Sequence, residues 1–115
     1  MPQDPLVIED HDGPIEGQRV LELTGPLIIS NLFDFQARVR ADRSSALYLE
    51  FSGVPYIDSA GIGALVGAHV ARDKGESKLY LVGVNKRVQD ALEVTRVRQF
   101  FTFLDELPGA GRATA

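Results

Sequence analysis

Residues 56–63 read Tyr56-Ile57-Asp58-Ser59-Ala60-Gly61-Ile62-Gly63, and the rest of the chain is organised around this stretch. Asp58 has the side chain of a helix N-cap, because its carboxylate can accept a hydrogen bond from a backbone N–H of the first turn. Ser59 is then the first residue of a helix, with its hydroxyl directed away from the packed face. The stretch therefore predicts a hydroxyl that can act as a chemical switch.

Length and composition limit the partners that such a chain can have. The 115 residues suffice for one domain, and 44% hydrophobic residues are enough for a single core. The net charge is -4 and the basic residues are scattered along the chain. Because nucleic acids and anionic membrane surfaces need a concentrated basic face, direct binding to either is not expected.

The chain contains no cysteine, which excludes disulfides, thiolate catalysis and cysteine-ligated metals. The N-terminus lacks a charged segment followed by an apolar one, and no stretch approaches the ~20 apolar residues that cross a bilayer. We therefore expect a cytoplasmic protein without a membrane span.

The first half of the chain predicts a hairpin, a helix and a buried strand. Residues 6–8 are a short apolar strand, and residues 9–14, which include His11, are dense in turn formers. A second strand over residues 18–24 pairs with the first. A helix over about 31–41 follows, and the apolar run over 46–51 is typical of a strand buried on both faces.

The helix that begins at Ser59 carries an apolar stripe and many small residues, so we expect most of it to be buried. Glycine inside a helix costs roughly 1 kcal/mol relative to alanine. We interpret Gly63 and Gly67 as positions where another backbone or a partner surface comes close. Arg72 and Lys74 provide cations for the end of the helix dipole, and Gly75 stops the helix.

The last third predicts a strand over 78–83, a helix capped by Asn85 and a short strand within 100–104. The order of elements predicts an α/β fold with a mainly parallel sheet of four or five strands, an N-terminal hairpin and helices packed on the sheet. We expect one domain over residues 1–107 and a flexible tail over 108–115. The serine stretch then lies at the carboxyl end of a strand, where open sheets place their sites.

The strand before residues 54–57, the Asp58-Ser59-Ala60-Gly61-Ile62-Gly63 core and the strand and helix on either side of Asn85 resemble the STAS domain of bacterial anti-sigma factor antagonists. The resemblance covers most of the chain. In that family the serine directly after the aspartate is phosphorylated by an anti-sigma factor that is itself a kinase, and the matching residue is Ser59.

The resemblance implies a regulatory binding protein rather than an enzyme. The unphosphorylated protein would bind the anti-sigma factor, phosphorylation would break the complex, and a phosphatase would restore it. The docking surface implied for this chain surrounds Ser59 and consists of Tyr56, Ile57, Asp58, Ser59, Gly61 and Ile62. Whether the protein self-associates is left open by the sequence.

One segment departs from the antagonist pattern and supports a second interpretation. Members of that group usually carry Gly-x-Leu-Asp after the second strand, whereas Ile28 follows Gly25-Pro26-Leu27 in this chain. The segment resembles the STAS domains of sulfate-permease-type anion transporters more closely. The alternative function is therefore an interaction or scaffold module that is never phosphorylated.

An enzyme with Ser59 as nucleophile is the weakest alternative. The Gly-x-Ser-x-Gly spacing is absent, and His69 lies roughly 15 Å along the same helix. Residues 61–67 also miss the spacing of a dinucleotide or phosphate loop, so no cofactor is predicted. We predict no metal site, with His11 as a turn residue and His69 as a packed or rim residue.

Overall fold

The protein is described by a computed structural model that covers residues 5–108. It contains five strands and three α-helices in the order β1 (Val7–Asp12), β2 (Gln18–Thr24), α1 (Leu32–Ala41), β3 (Ala46–Gly53), α2 (Ser59–Lys74), β4 (Lys78–Val82), α3 (Lys86–Val94) and β5 (Thr102–Leu104). A short 3-10 helix, Arg98–Phe100, precedes β5. The predicted order of elements is confirmed, while the last strand is shorter than the predicted segment.

The five strands form one sheet in the order β1-β2-β3-β4-β5. β1 is antiparallel to β2, and every other neighbouring pair is parallel. Each helix is the crossover between two neighbouring parallel strands. The predicted mainly parallel sheet with an N-terminal hairpin is thereby confirmed, and the carboxyl ends of β2, β3 and β4 lie at one edge.

The first strand is longer than the sequence predicts. Residues 9–12, interpreted above as a turn, continue β1 and pair with residues 19–22 of β2. His11 is therefore a strand residue, which corrects its placement in a turn. The reason is tertiary: β1 is an edge strand, so polar residues that favour turns can extend it while their side chains remain in solvent.

The helices lie on one face of the sheet. The main core joins apolar residues of all three helices to Leu21, Leu49 and other inward residues of β2 and β3. A smaller cluster on the opposite face contains Val20 and Tyr48. The core is thus built on the face that the crossovers cover.

Helix α2 is less buried than the sequence predicts. Its buried residues are Gly61, Ala64, Leu65, Ala68 and Arg72, whereas much of the helix, including Gly63 and Gly67, is exposed. Apart from the flanking residues and the backbone of α2 itself, no atom within residues 5–108 lies within 4 Å of a Cβ built on either of these two glycines. The close approach of another backbone in this chain is therefore wrong as their explanation, and an external partner surface remains a prediction.

Arg72 is a buried structural residue rather than an exposed cation at the helix end. It is only 5% exposed, and its guanidinium donates to the carbonyl oxygens of Lys78 (3.0 Å) and Ser44 (2.7 Å). Burial lowers the pKa of Arg72, and the Asp42 carboxylate, 3.7 Å away, opposes this effect. Arg72 thereby links the end of α2 to the starts of β3 and β4.

The described chain ends at residue 108. The flexible tail expected over residues 108–115 therefore lies almost entirely outside the described residues, and the domain boundary at residue 107 stays a prediction.

Candidate functional site

Ser59 is the first residue of α2, and its side chain is exposed. Asp58 precedes it with extended backbone angles, and its Oδ1 atom accepts a hydrogen bond from the Gly61 N–H at 2.8 Å. The predicted N-cap is confirmed. Because Asp58 provides the N-cap, the Ser59 hydroxyl is not needed to cap the start of the helix.

The second carboxylate oxygen of Asp58 has a different function, which the sequence does not reveal. Oδ2 accepts a hydrogen bond from the Ile29 N–H at 3.0 Å. One carboxylate therefore caps α2 and also holds the loop that connects β2 to α1. Such a double contact fixes the position of the helix start relative to the neighbouring loop.

The same loop is joined to the serine stretch through the backbone. Leu27 and Ile57 form an isolated parallel bridge. The Leu27 N–H donates to the Tyr56 carbonyl at 3.3 Å, and the Asp58 N–H donates to the Leu27 carbonyl at 3.3 Å. These hydrogen bonds continue the pairing between β2 and β3 beyond the ends of the strands. The backbone just before Ser59 is therefore fixed to the loop that follows β2.

Gly61 is required by this close approach. A Cβ atom at position 61 would lie 2.1 Å from the Leu27 carbonyl oxygen, far inside contact distance. The glycine therefore permits α2 and the loop to meet, and any larger residue must move one of them apart. The close backbone contact of α2 thus occurs at Gly61, and not at Gly63 and Gly67 as predicted.

The six predicted docking residues are close together in the chain but differ in exposure. Ser59 is exposed, Tyr56, Asp58 and Ile62 are half-buried, and Ile57 (9% exposed) and Gly61 are buried. The accessible part of the predicted surface is therefore formed by four of the six residues. Ile57 and Gly61 support it from below.

Two exposed apolar side chains near the site were missed. Ile29 is 62% exposed and is attached through its N–H to Asp58, while Phe33, one turn further on, is 74% exposed. A signal for Phe33 was present in the sequence, because it lies outside the inward stripe of Leu32, Phe35 and Val39. An exposed phenylalanine in the first turn of α1, directly after the loop that Asp58 holds, is informative, since aromatic side chains are common in interfaces.

Helix α3 contributes a cation to the same edge. The Arg87 guanidinium carbon lies 5.0 Å from the centre of the Tyr56 ring. Asn85 caps α3 through the Val88 N–H at 2.8 Å and also donates to the Val54 carbonyl at 3.0 Å. The predicted cap is confirmed, and its amide group fixes α3 to the segment that leads to Ser59.

The segment that departs from the antagonist pattern has its own local structure. The Ile28 N–H donates to the Asn31 side-chain oxygen at 3.1 Å, and the Asn31 amide donates to the Pro26 carbonyl at 2.9 Å. Asn31 occupies the N-cap position of α1 without a side-chain cap hydrogen bond. Its side chain orders the loop before α1 instead.

His69 packs in an aromatic cluster away from the serine. Its ring centre lies 5.8 Å from that of Phe100 and 5.7 Å from that of Phe101. This confirms its interpretation as a packed residue. Within residues 5–108 no helix is both long and apolar enough to cross a membrane.

Comparison with known proteins adds independent findings. An anti-sigma-B factor antagonist from Staphylococcus aureus is 32% identical over 60 residues, which is 52% of this chain and 56% of the relative. The chain thus spans about half the length of the curated relatives that it matches.

Three solved structures share the fold at low sequence identity. An anti-sigma factor antagonist from Mycobacterium paratuberculosis has a TM-score of 0.72 at 20% identity, covering 96% of this chain and 93% of the other. A sulfate transporter family protein from Wolinella succinogenes has a TM-score of 0.69 at 23% identity and covers 87% of both chains. The Bacillus cell fate determinant SpoIIAA in its phosphorylated form has a TM-score of 0.67 at 13% identity, covering 94% and 98%.

The family itself is shown by a model that spans nearly the whole chain. The STAS domain model matches residues 6–110, which include every strand and helix described above. The chain belongs to the STAS domain family.

Proposed function

We propose that this protein is an anti-sigma factor antagonist that binds an anti-sigma factor and is released by phosphorylation of Ser59. The observation that carries the proposal is an exposed serine hydroxyl at the first position of a helix whose start is held by Asp58 and by the loop before α1. The curated relatives named anti-sigma-B factor antagonist support the choice of partner. The phosphorylated form of a protein with the same fold supports the modification.

A phosphoryl group at Ser59 is compatible with the folded domain. It would add roughly -1.5 to -2 charges at pH 7, next to a helix N-terminus that favours anions. The first turn of α2 contains no acidic residue, and the cap hydrogen bond uses the Asp58 carboxylate rather than the serine. We therefore expect phosphorylation to change the surface and to leave the fold intact.

The phosphoryl group would lie within the surface that contacts the partner. The partner surface would cover Ser59 together with the accessible parts of Tyr56, Asp58 and Ile62, and the exposed Ile29 side chain would add an apolar contact. New negative charge and bulk in the middle of such a contact would weaken binding. A loss of ~2.7 kcal/mol corresponds to about a hundredfold lower affinity.

In this proposal the anti-sigma factor is the kinase, a separate phosphatase removes the phosphate, and the protein acts in the cytoplasm. The exposed serine is accessible to both enzymes.

A second candidate function is a STAS interaction module that is never modified. It is favoured by Ile28, which stands where antagonists usually carry an acidic residue and which is half-buried in an ordered loop. In this case the same edge of the sheet binds a partner constitutively. A serine hydrolase has less support, because the His69 ring packs against Phe100 and Phe101.

The test is a pull-down from lysate of the source cells with wild type, Ser59→Ala and Ser59→Asp, combined with mass spectrometry of Ser59. Both substitutions keep the Asp58 cap, so the helix start should be preserved. Ser45→Asp is the matched control, because Ser45 is also exposed but lies at the opposite edge of the sheet.

The proposal predicts an anti-sigma factor that is captured by wild type, Ser59→Ala and Ser45→Asp and is lost with Ser59→Asp. Phosphate should be found on Ser59 after incubation with that partner and ATP. Equal capture by all four proteins, with no phosphate on Ser59, would favour the unmodified module and remove the switch.

A further inference from the structure

The hairpin of β1 and β2 places three potential metal ligands on one face of the sheet. Glu9 and Glu22 are directly opposite each other in the register, and His11 follows Glu9 by two residues. Side chains two residues apart in a strand point to the same face. This face is the one that carries Val20 and Tyr48, opposite to the helices.

The ligand atoms of these three side chains converge. His11 Nε2 lies 3.4 Å from Glu22 Oε1 and 3.9 Å from Glu9 Oε1, and all three atoms lie within 4.8 Å of one another. Two ligands bound about 2.1 Å from a tetrahedral zinc ion are separated by roughly 3.4 Å. Small side-chain rotations would therefore bring all three atoms into bonding distance of one ion.

The surrounding charges make a cation favourable. Glu50 of β3 lies opposite Glu22 of β2 in the strand register, so three carboxylates lie side by side across β1, β2 and β3. Like charges directly opposite each other destabilise a sheet. Within residues 5–108, no lysine or arginine forms an ion pair with any of these three glutamates.

We propose that Glu9, His11 and Glu22 form a binding site for a divalent transition-metal ion such as Zn²⁺. An imidazole nitrogen with two carboxylate oxygens suits zinc and its neighbours in the first transition series, and it is a poor ligand set for Mg²⁺ or Ca²⁺. Water would complete the coordination. No metal site was predicted from the sequence, because a His11 in a turn would have no register with β2.

All three ligands are exposed and must lose side-chain freedom when they bind the ion, so we expect an affinity in the micromolar range. The test is a titration of the full chain with ZnCl₂, followed by calorimetry and by NMR of the imidazole groups. The chain has only two histidines, so the signals of His11 and His69 can be followed separately.

The proposal predicts one zinc ion per chain and a zinc-dependent shift of the His11 signals alone. His11→Gln and Glu22→Gln should each weaken binding by at least about tenfold. Glu93→Gln, which removes an exposed carboxylate on α3, is the matched control and should bind zinc like wild type.

Loss of folding cannot explain weak binding by Glu22→Gln, because this substitution removes a repulsion and should raise the thermal midpoint of the metal-free protein. Absence of saturable binding would overturn the proposal and leave His11 as a simple hydrogen-bond partner of Glu22. Zinc binding that shifts His69, or that survives His11→Gln unchanged, would overturn it as well.

Discussion

The same substitution, glycine to alanine, is expected to have opposite effects at two positions of α2 that lie two residues apart. At Gly61 the new methyl group would lie 2.1 Å from the Leu27 carbonyl oxygen. At Gly63, apart from the adjacent residues and the backbone of α2, no atom within residues 5–108 lies within 4 Å of the new atom. Because both residues are inside the same helix, the difference isolates the contact between α2 and the loop before α1.

The magnitudes follow from the contacts that must change. Separating Leu27 from the serine stretch removes its hydrogen bonds with Tyr56 and Asp58, worth about 1 kcal/mol each, and overpacking costs a further ~1 kcal/mol. The higher helix propensity of alanine relative to glycine offsets about 1 kcal/mol of this cost. Gly61→Ala should therefore lower the free energy of unfolding by about 2 kcal/mol, whereas Gly63→Ala should raise it by up to about 1 kcal/mol.

Urea denaturation followed by tyrosine fluorescence and by circular dichroism measures both changes in the free energy of unfolding. The chain has no tryptophan, so tyrosine provides the fluorescence signal. With a slope of about 1.5 kcal/mol per molar urea, the Gly61→Ala midpoint should fall by about 1.3 M. A Gly61→Ala protein as stable as wild type would refute the reasoning, because the contact with Leu27 would then be unimportant. A marked loss of stability in Gly63→Ala would show that an unrecognised contact constrains that position.

Three further outcomes are expected. Arg72→Met should lower the free energy of unfolding by about 3 kcal/mol in urea titrations, because two backbone carbonyls and Asp42 lose their buried donor. The control Arg40→Met, at an exposed position, should change the free energy of unfolding by less than ~0.5 kcal/mol. Asp58→Ala should cost about 1–2 kcal/mol in thermal unfolding, since it removes the cap of α2 and the bond to the loop; an unchanged midpoint would argue against both contacts. Burial, with a smaller effect from the neighbouring Tyr80, raises the pKa of Tyr48, so the unfolded phenol ionises first and stability should fall as pH rises above about 10. Ultraviolet titration should show one late tyrosine that is absent in Tyr48→Phe; three simultaneous ionisations would contradict this.

Much of the fold was predictable because it depends on short-range patterns. The caps at Asp58 and Asn85 are local hydrogen bonds within one turn, and both are present as predicted. The apolar run of β3 indicates burial on both faces, which the sheet confirms. Elements separated by crossovers also indicate parallel strands without knowledge of their partners.

The parts that were predicted incorrectly depend on partners far along the chain. The extension of β1 over residues 9–12 needs β2 beside it, and the buried position of Arg72 needs the carbonyls of Ser44, just before β3, and of Lys78 in β4. Helix α2 is also less buried than predicted, because only the side of the helix with Gly61, Leu65 and Ala68 meets the rest of the fold. None of these neighbours can be read from hydrophobic periodicity.

The sequence by itself determined that an exposed serine opens a helix at the carboxyl edge of a parallel sheet, because capping and strand order are encoded within a few residues. Only the tertiary structure decided how that serine is held. Asp58 also bonds Ile29, and Gly61 makes room for Leu27, through contacts about thirty residues apart in the chain. The same holds for Glu9, His11 and Glu22, which meet only because the register of two strands places them on one face.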